Sequence, residues 1–196
     1  MLTLTLETER LLLRPVEERD LDVAIEMFTD PDVMQFLGGE TMSIAEVREE
    51  MPTYTKRCAV GAIGIWCIED RSSQEKLGSV FLLPLPIEKD DTDWDLVVGD
   101  QLPNAEIEIG YSLRKSVWGK GVATEAGKRL LQFAFDETAL EEIVAVIDEG
   151  NLASQRVLEK IGLVSVGQRY AYDAECPGFA ITRPQWLERN RSKSHV

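Results

Sequence analysis

The stretch that decides the fold is residues 104–162, which read NAEIEIGYSLRKSVWGKGVATEAGKRLLQFAFDETALEEIVAVIDEGNLASQRVLEKIG. Its pattern predicts, in order, a strand over residues 106–113, a glycine-containing turn over 118–124, a helix over about 121–136, a strand over 143–147 and a helix that begins at Asn151. The first N–H groups of a helix lack partners within the helix, and the helix dipole places positive charge there, so this layout suits an anionic ligand. Gly119 and Gly121 allow a phosphate to approach the backbone of the turn closely.

The remainder of the chain predicts one α/β domain. Further strands are predicted over residues 10–16, 61–69, 77–87, 164–172 and 178–182, and further helices over 21–29 and 44–55. We expect the domain to cover residues 1–188 and to be followed by a flexible tail over residues 189–196. The 196 residues, 44% of them hydrophobic, are enough for a packed core.

Composition excludes several classes of function. No apolar run reaches the roughly 18–20 residues that a membrane-spanning helix needs, so we expect no membrane association. The net charge of −14 opposes general binding of nucleic acid, which depends on neutralising phosphates with Lys and Arg. The three cysteines are odd in number and lack metal-ligand spacing, which favours a reducing, cytoplasmic location. The single histidine, His195, lies in a polar basic segment, so neither a histidine-based triad nor a metal site is expected.

Two segments have alternative interpretations. Residues 88–100 carry six carboxylates and one lysine, and they form either a solvated loop or an acidic rim that recruits a cationic substrate. Met34, Phe36 and Leu37 form a small apolar patch, which either packs in the core or lines the mouth of a substrate pocket.

The glycine turn does not fit the common nucleotide motifs. A Walker-type loop needs a further glycine and a Lys-Ser/Thr pair at a spacing that is absent here. A dinucleotide fingerprint needs a third glycine where the chain has Thr124. The turn by itself is therefore a phosphate-binding candidate of moderate specificity.

The same residues resemble a known family. The segment closely resembles motif A of the GNAT superfamily of N-acetyltransferases, whose turn is usually Gln/Arg-x-x-Gly-x-Gly/Ala. Residues 121–123 (GVA) supply the last three positions, while Trp118 stands at the Gln/Arg position. That departure is similar to the RimJ/RimL-type branch. The opening TERLLLR at residues 8–14, the NLAS at 151–154 and the ending FAITRPQW at 179–186 resemble the same branch.

The resemblance implies a fold and a cosubstrate. It implies a mixed, mostly antiparallel twisted sheet of about seven strands, with a splayed central parallel pair and about four flanking helices. It also implies acetyl-CoA as cosubstrate, bound without a metal. The residues that match the family's CoA-binding positions are Leu113, Trp118, Gly119, Lys120, Gly121, Val122, Ala123, Thr124, Asn151 and Ser154. Asn151 can also act simply as a helix N-cap.

Acyl transfer to an amine needs a base, because an amine is protonated at neutral pH and cannot attack in that form. With no histidine available, carboxylates are the candidates. Glu106 and Glu108 lie two residues apart on the predicted strand and therefore share one face, while Ile107, Ile109 and Tyr111 share the other. Glu108 occupies the place of the branch's acidic residue, so we expect it to act as base or amine anchor, with Glu106 in reserve.

The departing CoA thiolate needs a proton. Many relatives place a tyrosine on the last helix for this, but the chain has Val157 or Leu158 there. Ser154 is the substitute that the branch implies. Tyr170 and Tyr172 could reach the site from the following strand, although strand tyrosines are more often packing residues.

The resulting functional prediction is an N-acetyltransferase with acetyl-CoA as donor and direct attack by a primary amine. The resemblance implies a protein or peptide N-terminal α-amine as acceptor, and a small cationic amine such as a polyamine or aminoglycoside is the alternative. A non-catalytic acyl-CoA-binding protein is the alternative from another class, and the missing tyrosine motivates it. A monomer or a homodimer is expected.

Overall fold

A computed structural model describes residues 2–58 and 61–193. These residues form one eight-stranded sheet with helices packed on it. The strands are β1 (Leu6–Glu7), β2 (Leu11–Pro15), β3 (Gly64–Asp70), β4 (Lys76–Pro84), β5 (Ile107–Leu113), β6 (Glu142–Val146), β7 (Val164–Ala171) and β8 (Ala174–Thr182). The helices are α1 (Leu21–Phe28), α2 (Pro31–Met34), α3 (Ile44–Tyr54), α4 (Trp94–Val97), α5 (Val122–Glu137), α6 (Leu152–Ile161) and α7 (Arg183–Lys193).

The sheet has the order β1-β2-β3-β4-β5-β6-β8-β7, and every neighbouring pair is antiparallel except β5 and β6. All seven residues of β5 are paired with residues of β4. By contrast, β5 and β6 share one matched pair of residues, Glu108 with Val144. The two central strands therefore separate beyond Glu108. This arrangement confirms the predicted mixed sheet with a parallel central pair.

Helix α5 covers one face of the sheet because its apolar residues recur at helical spacing. Val122, Ala126 and Leu130 are among its buried residues, and they pack in one core with Ile107 and Ile109 of β5. Helix α6 packs closely on α5, since an added Cβ at Gly127 would lie 3.2 Å from Ile161 Cδ1.

Helices α1 and α3 cover the opposite face. Ala24 of α1 and Val47 and Met51 of α3 form a separate buried cluster. The two faces of β5 thus have different surroundings: α5 lies on the side of Ile109, and α1 and α3 lie on the side of Glu108. This difference places the functional groups described below.

Several boundaries differ from the sequence-based prediction. Strand β3 begins at Gly64 and β4 ends at Pro84, so both are shorter than expected. Helix α7 continues to Lys193, five residues into the segment that was predicted to be a flexible tail. His195 lies outside the described residues, and the domain limits stay a prediction. None of the helices within residues 2–58 and 61–193 is long and apolar enough to cross a membrane.

Candidate active site

The turn between β5 and α5 forms a cradle of backbone N–H groups. Gly119 has φ of +73° and Gly121, the N-cap of α5, has φ of +80°, conformations that favour glycine over other residues. An added Cβ at Gly119 would meet no atom within 4 Å, so the turn is open on that side. The N–H groups of the first turn after Gly121 have no acceptor within the helix by geometry. The N–H groups of Trp118 and Lys120 already donate to the carbonyls of Lys115 and Val117, so the first turn of α5 is the part that suits an anionic ligand. Binding of the CoA pyrophosphate by residues 118–124 stays a prediction.

Arg10 neutralises an acidic residue at the cradle. Glu125, in the first turn of α5, accepts hydrogen bonds from the Arg10 backbone N–H at 3.1 Å and from Arg10 Nε at 2.7 Å, and Thr8 Oγ1 donates to it at 2.6 Å. Arg10 Nη1 also donates to the Lys120 carbonyl at 3.2 Å. This ion pair reduces the repulsion that Glu125 would exert on an anion in the cradle. Sequence reasoning assigned no role to Arg10 or Glu125, although both belong to the motifs that carry the family resemblance.

The end of β5 lies beside the gap between the two central strands. Arg114 N–H donates to Leu77 O on the β4 side, and backbone groups of alternate residues point to opposite edges of a strand, so those of Leu113 face the gap. The Leu113 carbonyl accepts a hydrogen bond from Trp118 Nε1 at 2.9 Å, which ties the cradle to the strand end. Pairing of Leu113 with the pantetheine arm stays a prediction.

Glu108 is a buried carboxylate, only 3% exposed, at the point where β5 and β6 separate. Tyr172 donates its O–H to Glu108 Oε1. The pKa of Glu108 is raised from 4.5 to about 7, mainly because the carboxylate is buried. The hydrogen bond from Tyr172 lowers the pKa in part, and the negative charge of Asp91 raises it further. A carboxylate with a pKa near neutrality can both hold and release a proton under physiological conditions.

The hydroxyl partner of Glu108 comes from a turn, not from the body of a strand. Tyr172 has φ of +53° and lies between β7 and β8, whose hairpin turn points its side chain at Glu108. Burial and the Glu108 charge raise the pKa of Tyr172, so it stays protonated and keeps donating. Tyr170, the other tyrosine considered from the sequence, is exposed and donates to Asp173 instead.

Glu106 has different surroundings from Glu108. Its side chain is 40% exposed and forms an ion pair with Arg169 of β7. Glu106 therefore lies at the surface in an ion pair, whereas Glu108 is buried and accepts from a neutral hydroxyl. The two glutamates that the sequence treats as a pair are thus distinguished by their environment.

A hydroxyl pair lies on the opposite face of β5. Asn151 caps α6 by accepting the Ser154 N–H at 3.0 Å, as expected of an N-cap asparagine. The Tyr111 hydroxyl lies 2.7 Å from Ser154 Oγ and donates to the Ser154 carbonyl at 3.2 Å. Burial raises the pKa of Tyr111 to about 12. Sequence reasoning placed Tyr111 with the core residues of this face; the available signal was that a buried tyrosine hydroxyl requires a hydrogen-bond partner.

A cavity of about 260 Å³ lies on the Glu108 face, between the sheet and helices α1 and α3. Tyr172 lines this cavity and donates to Glu108, which is not itself a lining residue, so the Tyr172 side chain connects the cavity with the carboxylate. Met34 and Leu37 are among its lining residues, so two members of the apolar patch border a pocket. The acidic segment contributes to the lining as well: it contains α4 and supplies residues 91, 92 and 94.

No group of three or more His, Cys, Asp or Glu side chains within the described ranges could hold a metal ion. The three cysteines are free and buried. The described residues bring to the site a buried carboxylate, tyrosine and serine hydroxyls, and the backbone N–H groups of the first turn of α5.

This fold and site define an acyltransferase, and the comparisons with known proteins agree. A family described as "Acetyltransferase (GNAT) domain" matches residues 10–164. The chain belongs to the GNAT acetyltransferase family, which uses acetyl-CoA as acetyl donor.

The chain is also similar to individual proteins, and a solved structure shares its fold. The chain is 33% identical over 160 residues to the uncharacterized protein YkkB of Bacillus subtilis (strain 168), covering 81% of this chain and 84% of YkkB. It is 25% identical over 195 residues to the FsC-acetyl coenzyme A-N(2)-transacetylase of Aspergillus fumigatus, covering 95% and 80% of the two chains. A crystal structure of a GNAT-family acetyltransferase from Bacillus anthracis matches with a TM-score of 0.71 at 21% identity, covering 92% of this chain and 99% of that one.

Proposed function

We propose that the protein transfers the acetyl group of acetyl-CoA directly to a primary amine, with Glu108 as the base. The observation that carries this proposal is the buried Glu108 carboxylate, whose pKa burial raises to about 7 and which lies at the separation of β5 and β6. A base with this pKa is ionised in a large fraction of molecules near neutral pH and still accepts a proton readily. Tyr172 holds the carboxylate in position through its hydrogen bond.

The two faces of β5 divide the proton transfers. On the cavity side, Glu108 accepts a proton from the ammonium group, and the freed amine attacks the thioester carbonyl carbon. On the helix side, the carbon–sulfur bond breaks and the thiolate takes a proton from Ser154 Oγ, which Tyr111 supports from 2.7 Å. The residues that would hold the donor are the cradle at 118–124, Leu113 and Asn151. The nitrogen loses its second proton to solvent as the carbon–sulfur bond breaks. Exchange with solvent then returns a proton to the hydroxyl pair and removes one from Glu108.

As acceptor we propose a protein or peptide N-terminal α-amine. Its support is the resemblance to the RimJ/RimL-type branch and a cavity with room for one side chain, which is lined by Tyr172, the hydrogen-bond partner of Glu108. We also assign the protein to the cytoplasm on the basis of its three buried free thiols.

A small cationic amine is the second candidate. The observation that favours it is Asp91, an exposed carboxylate of the acidic segment that lies at the cavity. The hydroxyl groups of Tyr111 and Ser154, 2.7 Å apart, favour catalysis over the binding-only alternative, because they supply a candidate proton donor where the helix tyrosine is missing.

A panel of amines tests the proposal. CoA release is measured with a thiol reagent, and acetylated products are identified by mass spectrometry, for short peptides, spermidine and an aminoglycoside. Glu108→Gln should lower kcat/KM by roughly 10²-fold or more. Glu142→Gln, the same change at an exposed position of β6, is the matched control and should leave the rate unchanged. A larger loss in Glu106→Gln than in Glu108→Gln would move the base to Glu106.

A further inference from the structure

The chemistry of the cavity lining restricts which amine it can hold. The lining is dominated by aliphatic, thioether and aromatic side chains. Four methionines contribute, at positions 27, 34, 42 and 51. Phe28, Tyr54 and Trp94 form a continuous aromatic wall, with ring centroids 5.6 and 6.0 Å apart between successive rings. Flexible thioethers and aromatic rings adapt to apolar groups of varied shape.

The charged groups of the lining offer little to a polycation. Asp20 is 1% exposed, and both its carboxylate oxygens accept hydrogen bonds from Arg14 at 2.7 Å, with Lys76 Nζ at 3.2 Å. Burial raises the pKa of the Cys67 thiol to about 12, so it is neutral. Asp91 alone among the lining carboxylates is without such a buried pairing, and it is exposed. A guest with several ammonium groups would bury charges without partners, which is costly.

The size of the cavity sets a second limit. A cavity of 150 Å³ lined by apolar side chains holds benzene, so about 260 Å³ accommodates one large or bicyclic group. An aminoglycoside with several sugar rings exceeds that volume. A molecule with one amine on the Tyr172 side of the cavity and one apolar substituent directed toward α1 and α3 fits it.

From the lining and the volume we infer that the acceptor is a primary amine with one apolar or aromatic substituent. The substituent occupies this cavity, and the amine group gives its proton to Glu108. The inference rests on the proposed function and narrows its acceptor. Two sources share this chemistry: a peptide whose first residue has a large apolar side chain, and a free arylalkylamine. Leu37 and Phe36 provide a matched pair for the test, because Leu37 lines the cavity and Phe36, its equally exposed neighbour, does not.

The experiment compares kcat/KM for phenylalaninamide, leucinamide, glycinamide, phenethylamine, spermidine and the peptides Phe-Gly-Gly and Gly-Gly-Phe. Phenylalaninamide should exceed glycinamide by about 100-fold or more, since a single methylene in an apolar pocket changes the ratio by 10–200-fold. Leu37→Trp, which narrows the cavity, should reduce the rate with phenylalaninamide at least tenfold and barely affect glycinamide, whereas Phe36→Trp should change neither. Phe-Gly-Gly against phenethylamine distinguishes the peptide source from the free amine.

Binding is measured separately by calorimetry on the CoA-loaded protein. Apolar amines that bind without turnover, and lose affinity in Leu37→Trp alone, would support the cavity assignment while refuting catalysis. Equal turnover of glycinamide and phenylalaninamide would overturn the inference and leave the acetyltransferase function standing. A preference for spermidine that Asp91→Asn removes would overturn it as well, in favour of cation recruitment.

Discussion

The ionisation of Glu108 predicts the pH dependence of both activity and stability. Its pKa rises from 4.5 to about 7 because the carboxylate is buried. Only the ionised form accepts a proton, so kcat/KM should rise with pH through an inflection near 7. At pH 5 about 1% of the carboxylate is ionised, which sets an expected loss of about 100-fold from the plateau. Glu108→Gln should remove this inflection and keep the limb that belongs to the acceptor amine.

The same shift predicts a change in folding free energy. The folded state binds the Glu108 proton more tightly than the unfolded state, so the contribution of this residue is most favourable below about 4.5 and is lost as pH rises through about 7. The loss is on the order of 3 kcal/mol, because one pKa unit corresponds to about 1.4 kcal/mol. Glu108→Gln should therefore be more stable than the wild type at pH 8 and similar to it at pH 5.

Two measurements check these expectations. Initial rates of CoA release between about pH 5 and 9 give the activity profile, and urea unfolding at pH 5 and pH 8 gives the stability difference. Glu142→Gln controls for loss of an exposed carboxylate. A wild-type profile without an inflection between pH 6 and 8, or a Glu108→Gln variant that keeps it, would refute the assignment of the base. A Glu108→Gln variant less stable than the wild type at pH 8 would refute the burial argument.

Three further substitutions test the surroundings of the base and the donor. Tyr172→Phe removes a hydrogen bond that lowers the pKa of Glu108, so the activity inflection should move to higher pH; an unchanged profile would contradict this. Gly121→Val places a β-branched residue at φ of +80°, which costs about 1–2 kcal/mol of folding free energy. The added side chain also obstructs the cradle. Calorimetry should therefore show that the folded variant no longer binds CoA. Retained affinity would place the phosphates elsewhere. Tyr111→Phe removes the hydrogen-bond partner of Ser154 Oγ, so kcat should fall while the CoA dissociation constant stays unchanged. Complete loss of a proton-transfer group lowers the rate by about 10²-fold or more. Because Ser154 itself remains, we expect a smaller loss of about tenfold. An unchanged kcat would remove Tyr111 from the mechanism.

Local pattern predicted the parts of the site that local pattern controls. The alternation along β5 correctly predicted that Glu108 lies on one face of the strand and that Ile107 and Ile109 lie on the other, because successive side chains of a strand point to opposite faces. The glycine turn and the Asn151 cap were predicted for the same reason: their conformations depend on a few adjacent residues. The acetyltransferase family was also correctly predicted from these motifs.

The remaining parts depend on contacts between distant residues. Tyr111 and Ser154 are separated by 43 positions and Tyr172 and Glu108 by 64, so no short pattern could reveal either pair. The different environments of the two glutamates also arise from long-range packing, because Arg169 of β7 pairs with Glu106. Likewise, the cavity exists only because α1, α3 and the acidic segment meet over the sheet.

The β7–β8 turn connects the hydrogen-bond partner of Glu108 to the acidic segment that carries Asp91. Tyr172 N–H donates to Pro86 O and Asp173 N–H donates to Ile87 O, both at 3.0 Å, so the turn is fastened to the residues that lead into the acidic segment. That segment carries Asp91, whose charge adds to the effect of burial in raising the pKa of Glu108. An ammonium group arriving beside Asp91 offsets this charge and lowers the pKa of Glu108. Binding of the substrate would thereby increase the fraction of Glu108 that is ionised near neutral pH.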